Sequence, residues 1–279
     1  MLEDFRIAVF ITFAFRRERL HYLFQVLRSL GEFPVTRMDV IVFTNTVDTD
    51  AIESIQAFRA NTFDELKSLQ IVSVDDLEHP FDLTWAHKPY LKQCLRDQQK
   101  DFTHFIYMED DLRFTYSNFQ YFVCSEQELR QHGLIPSFVR FEYNQSRATI
   151  CLSDHMHPQR MAGKKHVDLH GVSFMNSDYP YIAMFVMTRS HAEEHLSNPS
   201  FDKEGSAGSH GWWIAERAAM GITWDNVPTG YTSRYVIGFR DNLPVPQAYI
   251  HHMPDNYTND YSEQRKMLAK LTPGEAFQR

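Results

Sequence analysis

The chain has 279 residues, 43% of them hydrophobic, which suffices for one large α/β domain or two small ones with an ordinary core. A formal charge of -8 and a pI near 5.9 argue against nucleic-acid binding, which needs a basic face, so an anionic substrate has to be held by local positive charge. Cys94, Cys124 and Cys151 form no CxxC pair; neither a disulfide framework nor a thiolate zinc site is expected, and a reducing, cytoplasmic setting is.

The apolar run from Ile7 to Phe15 is about half as long as a membrane helix requires and follows Glu3 and Asp4 rather than a basic stretch. No integral membrane segment is expected in this sequence, and peripheral membrane contact is compatible with it. Arg6 to Phe13 reads as a buried strand. Leu20, Leu23, Phe24, Leu27 and Leu30 follow at helical spacing before Gly31, a stop. Arg16, Arg17 and Arg19 crowd the start of that helix, where the macrodipole favours an anion over a cation.

Met38 to Thr44 repeats the buried-strand pattern and ends at Asn45. Asp50 to Phe58 reads as a short helix, and Leu69 to Val74 is a third strand ending on Asp75 and Asp76. His87 and Lys88 stand just before Pro89, a favoured first helical residue, beside a helix start that attracts anions. The next strand, Asp101 to Met108, runs into Glu109-Asp110-Asp111. Carboxylates this close repel one another, and a divalent cation with an anionic ligand would complete them. No GxGxxG follows the first strand and no GxxxxGK[ST] occurs, which leaves dinucleotide binding and P-loop hydrolysis unsupported.

Beyond the acids, Ser117 to Arg130 reads as a helix and Ser137 to Tyr143 as a strand. The polar stretch from Asn144 to Pro180 reads as a long irregular lid or substrate loop. Tyr181 to Thr188 is a buried strand. The helix after it carries His191-Ala-Glu-Glu-His195, a formal match to the H-x-x-E-H zinc pattern. A Gly-rich hinge at 205–211 leads to Trp212 and Trp213, a flat platform for a sugar ring, with Glu216 one turn along the same helix face as Trp212. Ile222 to Val227 is expected as a further strand. His251 and His252 close an apolar strand and can offer an imidazole to a metal otherwise held by carboxylates.

This order of parts resembles the glycosyltransferases of the GT-A fold, nucleotide-sugar-dependent enzymes with a DxD-type metal motif. Glu109-Asp110-Asp111 and the segment from His252 to Tyr257 carry the resemblance. It implies one α/β domain, a GT-A-like, Rossmann-like fold with a mixed, mostly parallel central sheet flanked by helices. Residues 1–115 would bind the nucleotide-sugar, and 116–279 would bind the acceptor and return a ligand to the metal. By the resemblance, Asp111 and His252 (less so His251) bind Mn2+ or Mg2+, and Glu109 or Asp110 contacts ribose or metal-bound water.

In the same way Thr12, Phe13 and Arg16 hold the nucleotide, Asn45 and Asp76 flank base and ribose, and His87 and Lys88 face the diphosphate. The motif reads Glu-Asp-Asp rather than Asp-x-Asp, which leaves the first ligand open. The implied reaction moves a sugar from a nucleoside-diphosphate sugar, UDP-linked before GDP-linked, to a hydroxyl of a carbohydrate or glycolipid. Trp212 and Trp213 would meet the acceptor. In an inverting enzyme Glu216 would take the hydroxyl proton. The rivals are a zinc metallohydrolase built on His191, Glu194 and His195, a non-catalytic nucleotide-sugar-binding relative, and, last, a nucleotidyltransferase.

Overall fold

The computed structural model describes residues 3–46, 48–97, 99–208, 211–262 and 268–278. The chain divides into two compact units, Met1–Asp111 with Ala183–Ile222, and Leu112–Ile182 with Thr223–Arg279. Trp212, Trp213 and Glu216, read from sequence as part of an acceptor-binding second half, therefore belong to the first unit.

The first unit is built on β1 (Glu3–Phe13), β2 (Val35–Thr44), β3 (Lys67–Ser73) and β4 (His104–Glu109), with α1 (Leu20–Gly31), α2 (Thr49–Thr62) and α3 (His87–Arg96) between them. β1 and β4 are continuous apolar runs, and Ile7 to Ile11 and Phe105 to Met108 are fully buried, as strands covered on both faces must be. The sheet order, written by residues, is Met184–Thr188, β4, β1, β2, β3. β1 pairs parallel with both β2 and β4, and β2 parallel with β3, whereas the Met184–Thr188 strand lies antiparallel on β4.

Strand order thus steps outward from β1 to β3 and returns past β1 to β4. The carboxyl ends of β1 and β4, where the order reverses, are the place at which an open sheet of this kind forms its ligand crevice. α1 packs on α2, and α3 on the Arg189–Ser197 helix. The short Ile214–Met220 helix stops at Gly221, where φ is 53° and an added Cβ would lie 2.5 Å from Met187 Cε.

The second unit has shorter strands and mostly antiparallel neighbours. His166–Leu169, Val172–Met175, Tyr235–Arg240 and Leu243–Pro244 form one antiparallel path. Leu112–Arg113, Tyr249–His252, Val139–Asn144 and Thr149–Leu152 form another sheet, in which Tyr249–His252 runs parallel to Val139–Asn144. Over the whole chain the sheets are therefore mixed rather than mostly parallel, because short strands joined by tight turns pair antiparallel while long crossovers give parallel pairs.

Two sequence expectations fail here. The stretch from Asn144 to Pro180 is not one irregular loop; it contains a hairpin whose tip, His170 and Gly171, has φ of 51° and 76°, the double positive φ of a tight two-residue turn. Ile222 to Val227 is a run of turns, bounded by Gly221 and by Asn226 at φ 55°, and the strand forms instead at Tyr235–Arg240. Of the expected hinge, Ser209 and His210 lie outside the described residues, and 205–208 form a single 3-10 turn. All three cysteines are free thiols. Among the described residues no helix is long and apolar enough to cross a membrane.

Candidate functional site

Four parallel strands deliver their carboxyl ends to one edge of the first unit's sheet. Glu109, Thr12, Phe43 and Val72 lie in register across them. Residues one to four places further along therefore follow from the same edge: Asp110 and Asp111 after β4, Asn45 after β2, and Asp75 and Asp76 after β3. Thr12 is 6% exposed and turns inward to donate to the Tyr107 hydroxyl at 3.1 Å; Phe13 is fully buried against Phe15. Neither side chain faces outward, and the edge is presented by the backbone there.

Asp110 and Asp111 are 4% and 3% exposed, which ordinarily demands a partner for each charge. Arg19 is a partner of both. Its Nε and Nη2 donate to the two oxygens of Asp110 at 3.1 and 2.9 Å, and Nη2 also donates to Asp111 at 2.9 Å. Burial, then the charge of Asp111, pushes the Asp110 carboxyl above the ordinary carboxylate range in spite of the guanidinium. On Arg19, burial disfavours the charge, yet the bonds and charges of both aspartates outweigh it and raise the pKa.

Local structure explains why Arg19 makes this contact. Arg17–Arg19 forms a 3-10 turn between β1 and α1, closed by Arg19 N–H on the Arg16 carbonyl at 2.8 Å. The turn sends the three arginines in different directions: Arg16 is exposed, Arg17 pairs with Asp48 at 3.1 Å, and Arg19 folds back over the acids. The resemblance assigns the nucleotide contact to Arg16, but it is Arg19 that reaches the acids; spacing alone does not show how a 3-10 turn splits a basic run.

Further along the edge, a pocket of about 480 Å3 is lined by Asn45, Val74, Asp75, Leu77 and Pro80. This is a usual size for a small-molecule site. Asn45 Oδ1 accepts from the Phe15 N–H at 2.8 Å, which ties the ends of β1 and β2 together. Asp76 is exposed and does not line the pocket; its neighbour Asp75 does.

His87 and Lys88 are interior rather than facing a ligand, at 0% and 5% exposure. His87 Nδ1 donates to the Thr84 carbonyl at 2.7 Å, and its ring lies 4.2 Å from Tyr107. Lys88 Nζ lies 2.7 Å from His195 Nε2, and 5.3, 5.7 and 5.4 Å from the rings of Trp85, Phe185 and Phe201. An ammonium group only donates, so Nε2 is the acceptor and Nδ1 carries the proton toward Ser200 Oγ at 3.0 Å. Burial, then the charge of Lys88, holds both imidazoles well below the ordinary histidine value. With Lys88 at its acceptor nitrogen, His195 is a core residue rather than a zinc ligand, and His191 is likewise buried.

Trp212 is half-buried and Trp213 is 72% exposed. Glu216 Oε2 accepts the Trp213 N–H at 2.7 Å, capping the helix that begins at Ile214. In the second unit, His252 Nδ1 donates to Glu142 Oε1 at 2.5 Å, its ring stacks on Tyr257, and Glu142 Oε2 accepts the Thr258 N–H at 2.6 Å. A carboxylate on Nδ1 is the arrangement that orients an imidazole for metal ligation through Nε2. His251 pairs instead with Asp255 at 2.9 Å.

Among the described residues no group of three or more His, Cys, Asp or Glu is arranged as a ready cage for an ion. The donor set at the sheet edge nevertheless suits one class of cation. Mg2+ and Mn2+ take hard oxygens and are held by one or two carboxylates, with substrate phosphates and water completing the shell, and Asp110 and Asp111 are such a pair. No family model matches the chain, and no curated protein matches its sequence.

Proposed function

We propose that the protein is a metal-dependent glycosyltransferase of the GT-A type, transferring a sugar from a nucleoside-diphosphate sugar to a hydroxyl of a carbohydrate or glycolipid. One observation carries the reading: two buried aspartates, already drawing a cation, stand at the carboxyl end of β4 where strand order reverses against β1. Open α/β sheets bind their ligands at that point.

Asp110 and Asp111 hold Mn2+ or Mg2+ through carboxylate oxygen, and Glu109 lies beside the ribose or the water on the ion. When bound, the ion neutralises charge that develops on the departing nucleoside diphosphate. The pocket at Asn45 and Asp75 takes the nucleoside, with the carboxylate accepting from ribose or base. Glu216, whose Oε2 caps its own helix, accepts the acceptor hydroxyl's proton through Oε1 if the reaction inverts the anomeric centre, and Trp213 offers its exposed ring to a sugar face.

The test is nucleoside diphosphate release from a panel of UDP- and GDP-sugars with Mn2+, in wild type and in Asp111→Asn. The reading expects turnover in wild type and a loss of at least about 100-fold in the variant with its circular dichroism unchanged. Full activity in the variant sinks the metal role. Donor binding without release of product, over all acceptors, points to the binding relative instead.

A further inference from the structure

We propose that Arg19 is a charge-exchange residue: it neutralises Asp110 and Asp111 when no donor is present, then yields them to a divalent ion and turns its guanidinium onto the diphosphate. The inference rests on the transferase reading and names a substrate-contacting residue that the reading itself does not require.

Three observations carry it. First, the partners are unequal in mobility. Both aspartate side chains are 5% exposed at the end of a core strand, while Arg19 is 27% exposed and reaches over them on a flexible stem. The arginine is the member of the cluster that can leave. Second, the contact is shared: one guanidinium, at 2.9–3.1 Å, bonds to both aspartates, so a cation that replaced it would meet the same carboxylate oxygens, and a divalent ion would bring one more positive charge.

Third, there is somewhere for Arg19 to go. It ends the 3-10 turn Arg17–Arg19, which carries the exposed Glu18 and leads directly into α1, a helix of 12 residues with no acidic residue in its own first turn. An anion beside that start meets the positive end of the helix and the released fork together. The fork that now grips Asp110 through two bonds has the geometry that grips phosphate in the same way, which lysine's single ammonium lacks.

The exchange predicts effects of opposite sign on two ligands. Titration calorimetry of Arg19→Met with Mn2+ alone is expected to show affinity at least about 5-fold above wild type, because the competing cation is gone. Titration with UDP at saturating Mn2+ is expected to show affinity at least about 10-fold below wild type, because the phosphate loses its fork. The variant's thermal midpoint, lowered without metal, should rise more steeply with Mn2+ than that of wild type.

A purely structural arginine would weaken both ligands or move neither, and either result overturns the proposal. Should Arg19→Met fail to fold, Arg19→Lys keeps the charge and loses the fork; it is expected to lower UDP affinity with little change in Mn2+ affinity, and unchanged UDP affinity overturns the proposal. If wild type with Mn2+ binds no nucleoside diphosphate, the transferase reading falls and takes the diphosphate half of the exchange with it. An unchanged Mn2+ affinity in Arg19→Met refutes the exchange whether or not nucleotide binds.

Discussion

Two places in the first unit set a cation against residues of metal-binding type. At the sheet edge, Arg19 lies on Asp110 and Asp111; in the interior, Lys88 lies on His195 beneath Trp85, Phe185 and Phe201. The edge pair joins opposite charges, with the cation partly in solvent. The interior pair joins an ammonium to a neutral ring, with the cation walled in by aromatics. Charge that faces solvent can be traded for another cation, whereas enclosed charge has nothing to trade with. The first arrangement suits a site and the second a fold.

The sharpest way to break this comparison is Lys88→Ala. It leaves a void among three aromatic rings and removes the donor from a buried imidazole, so urea unfolding should show a loss of about 3 kcal/mol. Neither Mn2+ nor Zn2+ should restore it. Recovery with Zn2+ would return the His191 to His195 helix to the list of metal sites.

A smaller effect separates the two places by pH. The folded state keeps His195 unprotonated far below its ordinary pKa of 6.5, while the unfolded chain takes up a proton there. Stability from this group is thus complete above about pH 6.5 and is lost as pH falls below it. His195→Gln can still accept from Lys88 and no longer titrates; its urea midpoint should fall less than that of wild type between about pH 7 and 5. His87, shifted in the same direction, maintains part of the slope. Equal slopes would mean that burial and the charge of Lys88 do not hold His195 neutral in the folded state.

The smallest effects are expected at the helix that begins at Ile214. Glu216→Gln weakens a cap and should cost about 0.5–1 kcal/mol. Trp213→Ala, at a ring 72% exposed, should move stability by no more than about 0.5 kcal/mol. A large drop in sugar transfer by either variant would then report on chemistry or acceptor contact alone, extending the site beyond the sheet edge.

The parallel strands and the acid triplet were legible in the chain because burial on both faces writes itself as continuous apolar runs, and a run that stops on charge marks a sheet edge. Arg6 to Phe13, Met38 to Thr44 and Phe105 to Asp111 each read that way. Tyr235 to Arg240 did not, since a glycine interrupts it and prolines surround it. The hairpin at His170 and Gly171 was hidden inside a polar stretch, because its strands are half-exposed and four residues long.

The sequence by itself determined the α/β class of the first unit, the strands that end at one edge, and the residue types able to hold a hard cation there. Only the tertiary structure decided which of three arginines covers the acids, that Lys88 belongs to His195 rather than to a ligand, and that Asp75 rather than Asp76 lines the pocket. Periodicity records which face of an element is buried. What a long side chain reaches depends on elements distant in sequence, as Arg19 and Asp110, 91 residues apart, are.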